Sequence, residues 1–212
     1  MMETVEGVAF EKPFPHLIIR NFYNPEELEL VWEELKFYTK PGKLLQAKDF
    51  GGVVEDEEKT KGTNSHALIL DGIYSKKYRS LSNILTVNRK LFDSELLNAF
   101  SNIHDCCCIA PDANWDVTKV RYYHNGEYYK PHTDRSMQFL AFSYFYKEPK
   151  KFSGGEICFP KYDYEYACDN NSIIILPGWV EHEVTEVKIE DSDYYDGWGR
   201  YCISSFFGSK SR

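Results

Sequence analysis

At 212 residues the chain can bury one sizeable core, or one core with an N-terminal helical extension. Its 33 acidic against 25 basic residues leave a formal charge of -8, which disfavours broad binding to phosphate backbones. No run of about 18 apolar residues offers a membrane span.

Aromatic residues make up 16% of the chain, a bias that suits pleated, half-buried surfaces and so favours a β-rich interior. Met1 to Arg20 lacks the basic-then-apolar order of a secretory signal. Six cysteines, three of them consecutive at 106–108 and none in a CxxC pair, read as reduced thiols and imply a cytoplasmic protein.

In chain order, His16–Arg20 is a short apolar run after Pro13 and Pro15, expected as a first strand. Asn24-Pro25-Glu26-Glu27 has the composition of a helix start, with an N-cap, a proline at the first helical position and acids in the first turn. Leu28, Val31, Trp32 and Leu35 follow at helical spacing, so the helix is expected to run to about Tyr38, where Pro41-Gly42 stops it. Residues 40–66 are rich in glycine and charge and read as a solvated loop or a lid. Between Ser75 and Ile103 two helices are expected, one carrying Tyr78, Leu81, Ile84 and Leu85, the other carrying Leu91, Leu96, Leu97 and Phe100 with Asp93 or Ser94 as cap.

Beyond Cys108 the pattern changes. Eight short strand-like stretches follow: 116–123, 128–134, 138–146, 156–159, 162–168, 172–176, 182–189 and 200–207. Turn residues separate them, which predicts a sandwich or jelly roll. The expected fold class is α+β, a double-stranded β-helix of about eight core strands supported by N-terminal helices. The whole chain, 1–212, reads as one domain, with 1–110 as the strand and supporting helices and 111–212 as the core.

Within the second of these stretches, a period-two strand would put His132 and Asp134 on one face. An imidazole and a carboxylate side by side are two thirds of a facial iron site. The only histidine beyond His132 is His182, 48 residues after Asp134, following the turn Pro177-Gly178-Trp179. His16, His66 and His104 have no metal-type spacing, and His124 is expected at the surface. Ser153-Gly154-Gly155 is not followed by Lys-Ser/Thr, so it reads as a tight turn and not a phosphate loop.

Tyr123, Gly126, Tyr129, His132 and Asp134 form the run Tyr-x-x-Gly-x-x-Tyr-x-x-His-x-Asp. Phe145-Tyr146, Ser153-Gly154-Gly155, Phe159-Pro160, Ile173–Leu176, His182 and Arg200–Ser204 follow in order. This succession resembles the catalytic core of the Fe(II)- and 2-oxoglutarate-dependent dioxygenases, in their prolyl 4-hydroxylase-like branch. Pro13–Ile19 also resembles the entry to many members, whereas the match between about 40 and 115 is weak.

The resemblance implies an iron site of His132, Asp134 and His182. It implies 2-oxoglutarate as cosubstrate, O2 as oxidant, succinate and CO2 as products, and ascorbate as a further cofactor. Arg200 would anchor the far carboxylate of 2-oxoglutarate, with Ser204 supporting it and Tyr123 and Tyr146 as hydrogen-bond donors. Tyr129 and Phe206 would face the substrate. One departure is the spacing: Arg200 lies 18 residues after His182, beyond an acidic, aromatic insert 190–196, whereas Lys188 lies nearer the family's usual distance. Arg200 is preferred for the strand pattern behind it, and Lys188 stays open.

The implied activity is hydroxylation of an unactivated C–H, foremost on a prolyl residue of a protein or peptide. A basic peptide would suit the acidic insert, with 40–66 and 186–199 as flanking lids. The same chemistry on a free amino acid or other small molecule is the alternative, and a non-catalytic cupin-like binding protein is a third reading. Asp134 argues against halogenases, which lack the metal carboxylate, and Phe206 stands where nucleic-acid demethylases place a second arginine.

Overall fold

The computed structural model describes residues 6–40, 43–46 and 63–210. The chain opens with an antiparallel pair, β1 (Glu6–Phe10) and β2 (His16–Arg20). Helix α1 (Pro25–Tyr38) follows. Its start is fixed by a capping box, in which the Asn24 side chain accepts from Glu27 N–H and the Glu27 carboxylate accepts from Asn24 N–H. Val31, Leu35 and Tyr38 bury the inner face, as their spacing predicts.

Three strands that sequence reading did not resolve come next: β3 (Leu45–Gln46), β4 (Thr63–Asn64) and β5 (His66–Ile69). Residues 47–62, most of the expected loop or lid, lie outside the described residues.

The helical stretch is more broken than its periodicity suggests. It comprises α2 (Leu70–Ile73), a 3₁₀ segment over Lys76–Leu81, α3 (Asn83–Val87), a second 3₁₀ segment over Asn88–Phe92, and α4 (Ser94–Ser101). The break before α3 has a local cause. Ser82 Oγ accepts from Leu85 N–H and donates to the buried Glu34 carboxylate, which also takes the Ile84 N–H, so Ser82 ends one helix and caps the next. Asp93 caps α4, accepting from the N–H groups of Glu95 and Leu96.

Each of the eight expected strand stretches contains a strand. They are β6 (Trp115–Tyr123), β7 (Tyr128–His132), β8 (Phe139–Phe145), β9 (Ile157–Phe159), β10 (Tyr164–Tyr166), β11 (Ser172–Pro177), β12 (His182–Val184) and β13 (Arg200–Gly208). A short helix, α5 (Asp191–Tyr195), occupies the insert before β13.

All described strand pairings are antiparallel. The larger sheet runs β1-β2-β11-β8-β13-β6-β5-β3 and the smaller β10-β9-β12-β7-β4. This is a jelly-roll-like α+β arrangement.

The central strand β8 shows what holds the layers together. All seven of its residues are buried. Phe139, Ala141 and Phe145 join the core under the helices, whereas Leu140, Phe142 and Tyr144 join the core between the sheets. Likewise in β11, Ile173 and Ile175 face the helices and Ile174 and Leu176 face the second sheet. A strand covered on both faces reads as an unbroken apolar run, so its sequence carries no in-or-out alternation. All six cysteines are free.

Candidate metal and cosubstrate site

Between the sheets lies a cavity with β6, β8 and β13 on one wall and β7, β9 and β12 on the other. Three side chains converge in it. His132 ends β7 and His182 begins β12, and the two are cross-strand partners. Asp134 lies past the end of β7, so the strand period expected to align it with His132 does not place it. A turn does: Asp134 N–H donates to Gly178 C=O (2.9 Å), tying the β7–β8 turn to the β11–β12 turn. Gly178 permits this approach, since a Cβ there would strike the backbone oxygens of Asp134 and Met137.

The ligating atoms of His132, Asp134 and His182 all lie within 4.8 Å of one another. Asp134 Oδ2 stands 3.8 Å from His132 Nε2 and 3.7 Å from His182 Nε2, yet it is buried without a hydrogen-bond partner. Each imidazole directs Nδ1 to a backbone carbonyl, His132 to Lys130 O (2.9 Å) and His182 to Val180 O (3.0 Å). That contact holds the Nδ1–H tautomer and leaves the Nε2 lone pair facing the centre of the triad.

Burial and the neighbouring His182 push His132 down to about 4, and burial does the same to His182. Both imidazoles are therefore neutral at pH 7, the form that ligates metal. Burial raises Asp134 above the usual carboxylate range, against the opposing pull of His132, Lys119 and Arg121. Two neutral imidazoles and a carboxylate with one buried, unpartnered oxygen fit a divalent cation such as Fe(II), whose charge would offset the cost of that burial.

Arg200 is 2% exposed, and its Nε and Nη1 are buried without hydrogen-bond partners. Its guanidinium lies over the rings of Tyr123 (4.6 Å) and Tyr144 (5.1 Å), and Nη2 reaches Cys168 Sγ at 3.8 Å. Burying a charged fork with donors unsatisfied is costly, so the arrangement suits a bound anion. Gly155, at φ +79, makes room for it: a Cβ there would strike Arg200 Cδ and come within 2.8 Å of Nε.

Lys188, left open by its spacing, is exposed. Its backbone bridges to Ser153 while Val187 takes the buried position.

Tyr123, Ser204, Tyr129 and Phe206 all line the cavity. Tyr146 does not. β8 ends at Phe145, and Tyr146 packs outside against Phe152, so Tyr144 is the tyrosine of that strand that faces the cavity. Ser204 is cross-strand from Lys119, four residues from Arg200, and its hydroxyl meets Cys202 Sγ at 3.5 Å.

Two cations escaped sequence reading. Lys119 and Arg121 alternate with buried residues along β6 on the same face as Tyr123, and both line the cavity. Both share the parity of Tyr123, so the place expected for Tyr123 at the cosubstrate carried the signal that could have found them. Burial, with Arg121 adding to it, pushes Lys119 down to about 8.

The remaining histidines have structural partners. His124 is half-buried, 3.1 Å from Asp191 and edge-on to Tyr194. His16 stacks on Phe10, His66 pairs with Glu127, and His104 caps a 3₁₀ turn. No residue of the 190–199 insert lines the cavity; its α5 packs Tyr194 on Tyr122, at the Arg200 end.

No protein-family model matches the chain, and no curated protein matches it by sequence. Solved structures do match. A prolyl-4-hydroxylase from Pseudomonas putida is similar over 92% of this chain and 93% of its own, with TM-score 0.53 and 13% identity. A 2OG-Fe(II) oxygenase family oxidoreductase from Burkholderia pseudomallei is similar over 91% and 84%, with TM-score 0.56 and 13% identity. The viral collagen prolyl hydroxylase of Paramecium Bursaria Chlorella virus-1, solved as a 2OG complex, is similar over 91% and 94%, with TM-score 0.50 and 14% identity. At such identities the likeness shows that the chain has the fold of these oxygenases.

Proposed function

We propose that the chain is an Fe(II)- and 2-oxoglutarate-dependent dioxygenase that hydroxylates an unactivated C–H, foremost on a prolyl residue of a protein or peptide. The observation that carries this reading is a pair of unmet demands in one cavity. Asp134 Oδ2 is buried and unpartnered between two Nε2 atoms, and the Arg200 guanidinium is buried with Nε and Nη1 unpartnered. The first asks for a cation and the second for an anion. The likeness to solved prolyl hydroxylases supports the choice of iron and a 2-oxoacid for the two.

In this reading His132, Asp134 and His182 hold the metal, and the Nδ1–H groups of the two histidines, donating to Lys130 O and Val180 O, keep the rings from turning. Arg200 takes the far carboxylate of 2-oxoglutarate as a two-pronged donor, with Tyr123 and Tyr144 walling its sides. Tyr129, its ring 3.9 Å from that of His132, borders the metal on the substrate side. When bound, the iron supplies oxygen activation coupled to conversion of 2-oxoglutarate to succinate and CO2.

Within the acidic insert Asp191 pairs with His124 and Asp193 with Lys151, while Glu190 is exposed, so a basic peptide would meet fewer open carboxylates than the composition suggests. A free amino acid or other small acid is the second reading, favoured by Lys119 and Arg121, which a prolyl ring would not neutralise.

The test is succinate formation from 2-oxoglutarate with Fe(II) and O2, screened over proline-containing peptides and free amino acids, with His132→Ala as control. Succinate that depends on His132 and rises with one substrate class is expected. Tight metal binding with no succinate under any condition would leave a binding protein instead.

A further inference from the structure

We propose that the substrate of this cavity carries a carboxylate, and that Lys119, with Arg121 beside it, holds that group on the side of the metal triad away from Arg200. The inference rests on the oxygenase reading and adds the chemical class of what is oxidised.

The strand register separates the two ends of the cavity. Arg200 is cross-strand from Tyr123, whereas Lys119 is cross-strand from Ser204. Tyr123 and Lys119 are four residues apart, about 14 Å along a strand rising ~3.4 Å per residue. The side chains do not close that gap. The Arg200 guanidinium reaches only from Tyr123, its own partner, to Tyr144, which is level with Cys202, whereas Lys119 Nζ lies 4.7 Å from the centre of the Phe206 ring, two residues beyond Ser204. A five-carbon diacid is far shorter than this, so 2-oxoglutarate held by Arg200 leaves Lys119 to something else.

Charge makes the same demand. Three cations line the cavity, Lys119, Arg121 and Arg200, against one carboxylate, Asp134, among the described residues. A divalent metal and a doubly ionised 2-oxoacid cancel each other and leave two positive charges unmatched. Such an excess is costly in a cavity between packed sheets, and a bound anion would relieve it. Arg121 is fixed in place, donating Nη1 to Ser65 Oγ (2.7 Å) with its guanidinium 5.1 Å over the Tyr129 ring. Lys119 makes no hydrogen bond or ion pair among the described residues; its ammonium lies over Phe206 and feels Asp134 only through space. It is the free donor.

A carboxylate reaches this place either on a free acid, such as an amino acid, or on a peptide, as an acidic side chain or a C-terminus. The chemistry recognised is the same, and the test separates the sources. Protein loaded with Mn(II) and 2-oxoglutarate is titrated calorimetrically with two sets of probes. The first is the free amino acids against their carboxamides. The second is blocked peptides containing Pro-Asp against Pro-Asn counterparts.

At least one acid is expected to bind about tenfold or more tightly than its neutral partner. Lys119→Met, which keeps the stem and removes the charge, should abolish that preference, and Lys119→Arg should restore most of it. The set in which the preference appears names the source. The proposal is overturned if no acid outbinds its neutral partner. It is also overturned if Lys119→Met keeps the preference, or if that variant weakens 2-oxoglutarate as much as it weakens the acid. Failure of the oxygenase reading shows separately, as wild-type protein that does not take up 2-oxoglutarate before any probe is added.

Discussion

Arg200 on β13 stands cross-strand from Tyr123 on β6, its guanidinium 4.6 Å from the phenol ring and two of its nitrogens buried without partners. A buried charge in that state contributes little to the empty fold and much to a bound anion. Arg200→Met should therefore weaken 2-oxoglutarate by about 2–4 kcal/mol, roughly 30- to 1000-fold, by calorimetry on Mn(II)-loaded protein. Its ligand-free melting temperature should be no lower than wild type. A large loss of ligand-free stability with cosubstrate affinity intact would refute the anchoring role.

Gly155 supplies a second, independent probe of the same anchor. Gly155→Ala puts a Cβ against Arg200 Cδ at a residue with φ +79. We expect 2-oxoglutarate affinity to fall while metal affinity, measured by competition with a chelating dye, stays near wild type.

Asp134 should show opposite effects in the two metal states. Its carboxylate is penalised by burial when no cation is present. Asp134→Asn should leave the metal-free melting temperature equal or higher and abolish most of the stabilisation that added Mn(II) or Fe(II) gives wild type. Unchanged metal stabilisation in the variant would exclude Asp134 as a ligand.

Tyr144 and Tyr146 differ by one strand period, but only Tyr144 faces the cavity. Tyr144→Phe is expected to raise KM for 2-oxoglutarate, and Tyr146→Phe to leave it within error. The reverse result would mean that Tyr146, beyond the end of β8, reaches the cosubstrate.

His16, His132 and His182 are all held below the ordinary histidine value of 6.5, the latter two at about 4. The unfolded chain then binds protons that the folded, metal-free chain does not, so stability falls as pH drops below about 6.5 and stops falling near the folded values. The raised Asp134 works in the other sense and offsets part of this loss at the acid end. Between pH 7.5 and 5 the metal-free protein should lose roughly 2–4 kcal/mol in urea unfolding. A flat profile would show that these imidazoles are not buried neutral.

Much of this molecule is legible along the chain. The start of α1 follows from Asn24, Pro25 and Glu27, because a capping box uses only neighbours in sequence. The strands from β6 to β13 follow from short apolar runs bounded by turn residues. The grouping of His132, Asp134 and His182, and the presence of Arg200 rather than Lys188 at the cavity, follow residue types and their order, which survive wherever the chain is bent.

What the tertiary structure alone decided is which way each side chain faces and where each strand stops. Period two ties Lys119 and Arg121 to the face of Tyr123, and the pairing of β6 between β13 and β5 turns that face into the cavity. The end of β8 at Phe145 puts Tyr144 inside and Tyr146 outside. Asp134 owes its position to a backbone bond with Gly178, 44 residues away, and not to the period of β7. Ser82 splits a helix that its periodicity would have continued, because the buried Glu34 carboxylate demanded donors. In each case the deciding partner is distant in sequence, so the information lies in the contact and not in the local pattern.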